Sequence, residues 1–125
     1  MVDALETALR AAEAADAKKA LDILVLDLRG LTTIADYFVI CSGASVTQVG
    51  AIADGIGEAL ARHGVRPSHI EGGSEASWIL MDVGDVVVHV FQEEARTYYG
   101  LERLWGDAPR VPLVLAGPVL RGAPS

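Results

Sequence analysis

The residue types that could do chemistry are concentrated in one stretch, residues 75–105. It contains both tryptophans of the chain and all but one of its tyrosines. It also contains Asp82, Asp85, His89 and a pair of adjacent glutamates. A catalytic or metal site would use such residues, and so would a protein-binding surface on which aromatic rings supply contact area and acids meet a basic partner.

The evidence for catalysis within this stretch is weak. Asp82 and Asp85 could share a magnesium ion, but no third acid is placed beside them, and they flank a predicted turn at Val83 and Gly84, where aspartate is common. His89 lies on an apolar strand pattern, which predicts a hydrogen-bonded core histidine. The histidines show no zinc-ligand spacing, and no nucleophile has an identifiable base. We therefore predict no catalytic residue, no metal and no cofactor.

A second candidate is the segment SGAS, residues 42–45, which precedes a predicted helix. A glycine beside a helix N-terminus can hold a phosphate group, but this segment lacks the full glycine fingerprint and the lysine of a P-loop. Ser45 and Gln48 instead fit a capping box, which favours a plain turn and helix cap. The alternative that stays open is a nucleotidyltransferase-like nucleotide-binding protein or enzyme that uses this segment with Asp82 and Asp85.

The charge distribution favours a protein partner. The chain has 125 residues and a formal net charge of −7, so it is one acidic domain that we do not expect to bind nucleic acid directly. Residues 67–95 contain six acids and no lysine or arginine. The same segment contains Trp78, Met81 and Phe91, and aromatics beside acids suit a contact with a basic protein. Phe91 is assigned to the core, whereas Trp78 stays open between core and surface.

Cysteine usage and the N-terminal sequence bear on location. The single cysteine, Cys41, excludes a disulfide within the chain and a cysteine-based zinc site, and its apolar surroundings predict burial. The N-terminal sequence has no signal-peptide pattern, and no apolar run approaches bilayer-spanning length. We therefore expect a cytoplasmic protein without a membrane partner.

These residues must be positioned by a single α/β domain. Hydrophobic periodicity and turn signals predict the order α-β-β-α-β-β-β-α, with a mixed sheet of about five strands. We assign residues 1–106 to the domain and residues 107–125 to a proline-rich tail, which packs as an extended arm or stays mobile. The predicted helices are 3–19, 45–64 and 93–105, and the predicted strands are 21–30, 36–43, 68–71, 77–82 and 85–91.

Three details of this prediction concern packing. The strand over residues 21–30 has apolar residues on both faces, which predicts an inner strand. In the first helix, Leu5, Leu9 and Ala12 recur at helical spacing and are expected to face the core. In the last helix, one face is predicted to carry Tyr98, Leu101 and Trp105.

The chain resembles the ribosomal silencing factor family, also called the iojap-related family, from about residue 21 to residue 105. The resemblance is carried by DYFVICSGASVTQVGAIAD and by EGGSEASWILMDVGDVVVHVFQEEARTYYGLERLW. The most specific part combines W-I-L-x-D-x-G-D-V-V-V-H-V-F with E-x-R-x-x-Y-x-L-E-x-L-W.

The resemblance implies a repressor of translation. Such factors bind the large ribosomal subunit through large-subunit ribosomal protein fourteen, on the face that meets the small subunit, and so block subunit joining. The implied fold is similar to that of nucleotidyltransferases. The Asp-x-Asp metal pair that those enzymes need after their Gly-Ser motif is absent here, so the resemblance implies a protein that is not an enzyme.

The resemblance also implies a contact surface made of the hairpin and the final helix. Trp78 would be the anchor, with apolar contact from Met81 and Val83 and an acidic complement from the two aspartates. A homodimer that buries Trp78 at a two-fold interface is a third interpretation. The implied partner-binding residues are Trp78, Met81, Asp82, Val83, Asp85, Arg96 and Tyr99.

Overall fold

A computed structural model describes residues 3–73 and 75–115 of the chain. In this part of the chain the order of elements agrees with the α/β pattern that the sequence predicts. No helix among these residues has the length and apolar character needed to cross a bilayer. The elements are α1 (Ala4–Ala17), β1 (Leu21–Asp27), β2 (Tyr37–Gly43), α2 (Val46–Arg62), β3 (His69–Glu71), β4 (Trp78–Val83), β5 (Val86–Gln92), α3 (Glu93–Tyr99) and α4 (Leu101–Leu104).

The strands form one open mixed sheet in the order β1-β2-β5-β4-β3. The central strands β2 and β5 run parallel, with Tyr37 opposite Val86 and Gly43 opposite Gln92. The other neighbouring pairs are antiparallel. The predicted single domain with a mixed five-stranded sheet is therefore confirmed. Both central strands are buried along nearly their whole length, as strands with two covered faces must be.

β1 lies at the edge of the sheet, and the prediction of an inner strand is wrong. Its side chains do pack on both faces, but the free edge is covered by the C-terminal arm, residues 107–115. The Asp27 N–H donates to the Pro109 carbonyl at 2.8 Å, and the Val111 N–H donates to the Val25 carbonyl at 2.9 Å. The arm thus satisfies backbone groups that an edge strand would expose. Residues 116–125 of the predicted tail lie outside the described residues.

α1 and α2 cover one face of the sheet. The predicted apolar stripe of α2 is confirmed, since Val49, Ile52, Ile56 and Leu60 are fully buried. In α1 the inward face is made of small residues: Ala12, one of the three residues noted at helical spacing, is fully buried, whereas Leu5 is exposed. The alanines leave little bulk between α1 and the elements it packs against. The buried alanines are Ala8, Ala11, Ala12 and Ala15.

The opposite face of the sheet, which we call the open face, carries no long helix among the described residues. Its apolar cluster is completed by residues from the loop after β1, from α3 and α4, and from the start of the C-terminal arm. The predicted helix over residues 93–105 is divided at Gly100, whose φ of 63° ends α3 and begins α4. Leu101 and Trp105 therefore pack on the sheet, whereas Tyr98 is 83 % exposed and does not share their face as predicted.

The β4–β5 hairpin turns one residue later than predicted. Val83 is the last residue of β4 and pairs with Val86, so the two-residue turn consists of Gly84 and Asp85. Gly84 has a φ of 66°, a conformation that glycine adopts without steric cost. Val83 is therefore a strand residue.

The junction between β2 and α2 has no room for a side chain at Gly43. A Cβ atom there would lie 2.9 Å from the backbone nitrogen of Val49, so we expect Gly43→Ala to lower the free energy of unfolding by about 1–3 kcal/mol. Gly50→Ala is the matched control, because nothing lies within 4 Å of its Cβ position inside α2; it should stabilise by about 0.5–1 kcal/mol. Urea unfolding midpoints measure both changes, and a Gly43→Ala midpoint equal to wild type would contradict the argument.

Candidate functional site

The half-exposed part of the open face lies on β4. Side chains of a strand alternate between its two faces, so every second residue of β4 points away from α1 and α2. These residues are half-buried, because no long helix covers them, while the alternate residues are buried under α2. The half-buried residues are Trp78, Leu80 and Asp82, and the buried ones are Ile79, Met81 and Val83.

This alternation places the residues of the predicted contact surface on two different faces of β4. Met81 is 2 % exposed and Val83 is 6 % exposed, and both belong to the core cluster on the helical side. They were expected to add apolar contact to a partner; in the folded chain they are core residues. Leu80, which was not predicted as a site residue, is half-buried between Trp78 and Asp82 on the open face. The signal was available, since period-two spacing from Trp78 selects Leu80 and Asp82.

Trp78 lies between the core and the surface. Its ring stacks on Phe91 with centroids 4.9 Å apart and contacts the Tyr99 ring with centroids 4.5 Å apart. Phe91 is fully buried, as predicted, while Tyr99 is 49 % exposed. The three rings therefore form an aromatic series that connects the core of the sheet to solvent, and the two outer rings are available for contact.

His89 lies beneath Trp78. The indole N–H of Trp78 donates to Nδ1 of His89 at 3.2 Å, which places the histidine proton on Nε2. Nε2 has no hydrogen-bond partner within the described residues. Burial lowers the pKa of His89 to about 4, so the ring is neutral at neutral pH. The predicted core histidine is thus confirmed in its burial, but only one of its nitrogens is bonded.

Arg96 fastens the final helices to the sheet. Its Nε donates to Glu102 at 2.7 Å, and its Nη1 donates to the Ser42 hydroxyl at 2.9 Å. The bond from Arg96 holds the pKa of the Glu102 carboxyl below its ordinary value. Because only 10 % of the Arg96 side chain is exposed, it offers a partner little surface. Its evident role is to hold α3, and with it Tyr99, against the open face.

The two aspartates of the predicted site lie in different environments. Asp82 is half-buried on the open face, opposite His69 of the edge strand. Asp85 is exposed in the hairpin turn, where its carbonyl accepts the N–H of Asp36 at 2.7 Å. Among residues 3–73 and 75–115, no three histidine, cysteine, aspartate or glutamate side chains come together as metal ligands.

The SGAS segment is a helix cap. The Ser45 hydroxyl accepts the N–H of Gln48 at 3.1 Å. The Gln48 side chain accepts the N–H of Ala44 at 2.9 Å, one residue before the position that a standard capping box uses. A polar cleft of about 480 Å³ opens beside Ser42, but Arg96 in its wall is already held by Glu102 and Ser42. The turn-and-cap interpretation of this segment is confirmed.

Comparison with known proteins gives one consistent family. The family model described as "Ribosomal silencing factor during starvation" matches residues 2–121. The ribosomal silencing factor of Bacillus subtilis is 52 % identical over 103 residues, which cover 82 % of this chain and 87 % of that protein. The chloroplastic Iojap protein of Zea mays is 36 % identical over 118 residues, covering 89 % of this chain and 48 % of that protein.

Solved structures have the same fold. A crystal structure from Chromobacterium violaceum superposes with a TM-score of 0.80 at 34 % identity, covering 94 % of this chain and 98 % of the other. A second, from Bacillus halodurans, gives a TM-score of 0.73 at 42 % identity, with coverage of 83 % and 94 %. The sequence match spans nearly the whole chain, and the superposed structures share the fold described above. This chain therefore belongs to the ribosomal silencing factor family.

Proposed function

We propose that this protein represses translation by binding the large ribosomal subunit through large-subunit ribosomal protein fourteen, and that it sterically blocks joining with the small subunit. The open face is the contact surface in this proposal. The observation that carries it is the half-exposed group of Trp78, Leu80 and Tyr99 on that face, with Asp82 on the same strand. Membership of the family supports the ribosome as the target.

The chemistry of the open face suits docking to a protein. Trp78 and Tyr99 are large rings that are already ordered by stacking, so they lose little side-chain entropy when a partner covers them. Trp and Tyr are also the residues that most often dominate binding energies. Asp82 on the same face of β4 and Glu71, which pairs with Leu80, add negative charge to this face, which complements a basic ribosomal protein.

A steric repressor requires no reaction at its surface. We therefore propose that the protein is not an enzyme and needs no cofactor, and that it acts in the cytoplasm, where ribosomal subunits meet. Asp82 and Asp85 contribute charge in this proposal, not metal binding. A homodimer that covers the same face would compete with the ribosome for it, and sedimentation at two concentrations distinguishes a homodimer from a monomer in the free protein.

The proposal predicts selective binding to one ribosomal subunit. The protein should co-sediment with isolated large subunits and not with small ones, because its partner lies on the large subunit. Added protein should also lower the fraction of joined ribosomes in a sucrose gradient. Equal co-sedimentation with both subunits, or binding without any effect on joining, would contradict the mechanism.

A matched pair of neighbouring tyrosines tests the contact surface. Tyr99 is 49 % exposed and its ring contacts Trp78, whereas Tyr98 is 83 % exposed and meets the Tyr99 ring edge-on, with centroids 5.1 Å apart. Tyr99→Ala should weaken binding to large-subunit ribosomal protein fourteen by about 2 kcal/mol, as truncation of a hot-spot residue does. Tyr98→Ala should change it little. Calorimetric titration gives the affinities.

The same calorimetric titration measures the contribution of Trp78, the proposed anchor, to binding. Trp78→Ala should cost about 2 kcal/mol or more of binding free energy, and part of its effect should appear as lost stability because the ring packs on Phe91. Ile70→Ala is the control, since Ile70 is an exposed apolar strand residue that pairs with Met81 and so points away from the open face. Normal binding by both Trp78→Ala and Tyr99→Ala would remove the open face from the contact.

A further inference from the structure

A histidine lies under the proposed contact surface among apolar and aromatic neighbours. His89 is 3 % exposed, and its nearest aromatic neighbour is Phe38, with ring centroids 4.5 Å apart. Its cross-strand partners are Ile40 and Leu80, neither of which has a polar side chain. Nε2 of His89 has no partner among the described residues. A buried donor without a partner destabilises a fold, so packing alone does not account for a histidine here.

Within the described part of the chain, His89 makes one side-chain hydrogen bond, and its partner is Trp78, the proposed anchor of the surface. An indole N–H can only donate, so the 3.2 Å contact makes Nδ1 of His89 the acceptor and fixes the tautomer with the proton on Nε2. The bond also restrains Trp78. If the indole rotated about its side-chain bonds, this part-buried contact would break and the N–H would lose its partner.

We propose that His89 is a positioning residue for docking: by accepting the Trp78 indole N–H it holds the ring in the orientation that the ribosomal partner meets. This inference rests on the proposed function. His89 itself is covered, so the partner contacts Trp78 and not the histidine. Its contribution is preorganisation, because a ring that is already held loses less freedom when it is bound.

Positioning and packing roles predict opposite results for His89→Leu. If His89 served mainly to pack the core, its removal should lower the melting temperature. If it positions Trp78, the variant should melt close to the wild-type temperature, because the unpaired Nε2 donor is removed while the part-buried indole N–H that loses its acceptor can turn to water. It should bind large subunits at least tenfold more weakly. His89→Gln, which can still offer an acceptor to the indole, should recover part of that affinity.

The control is His63→Leu. His63 caps α2 on the far side of the sheet and contacts Arg10 at 2.8 Å, so its loss should leave the affinity for large subunits unchanged. Proton–nitrogen correlation spectra of the free protein report directly on the indole, once a Trp105→Phe variant has identified the Trp78 signal. In His89→Leu this signal should shift and exchange faster with water.

The outcomes separate the inference from the function on which it rests. Tenfold weaker binding by His89→Leu with unchanged melting, and partial recovery in His89→Gln, supports the positioning role. Wild-type affinity in His89→Leu, or a fall in affinity that only follows a fall in melting temperature, overturns it while the proposed function stands. If the wild-type protein does not bind large subunits, the proposed function is overturned. The positioning role in docking is then overturned as well.

Discussion

The parallel pair of β2 and β5 is buried on both faces, and much of the structure follows from the need to cover it. Parallel neighbours require a crossover connection, and here that connection contains α2, which lies on one face with α1 beside it. The other face receives α3, α4, a loop and the C-terminal arm, none of which is long enough to cover the whole sheet. β4 therefore keeps one row of side chains half-exposed.

Because the two faces of the sheet are covered unequally, apolar side chains stay partly exposed on the open face, and ring contacts hold them in place. Phe91 anchors the aromatic series in the core, Trp78 stacks on it, and Tyr99 reaches solvent. The hydrogen bond from Trp78 to His89 adds a directional restraint that stacking lacks. Neutral His89 is an effective acceptor there, because burial holds its pKa at about 4 and thus prevents protonation at neutral pH.

The positions of α3 and α4 on the open face depend on two residues, Gly100 and Arg96. Gly100 breaks the final helical segment, so that α4 and Trp105 turn onto the sheet. Arg96 then joins α3 to α4 through Glu102 and to the end of β2 through Ser42. Because α3 carries Tyr99, the position of the outermost ring of the aromatic series depends on an arginine that is itself nearly buried.

Sequence by itself determined the features that depend on local periodicity and local hydrogen bonds. The α/β class, the apolar stripe of α2 and the cap at Ser45 could be predicted, because each is set by residues within a few positions of one another. The two-sided packing of β1 was also correct, and the sequence located the stretch that contributes Trp78 and Tyr99 to the open face.

Only the tertiary structure decided which of those residues share a surface. Strand order depends on pairings between distant segments, which is why β1 proved to be an edge strand covered by the arm. The buried face of β4 depends on where α2 packs, and this placed Met81 in the core and Leu80 on the open face. Arg96 reaches a partner 54 positions away, and no local pattern encodes a hydrogen bond between side chains that only the folded sheet brings together.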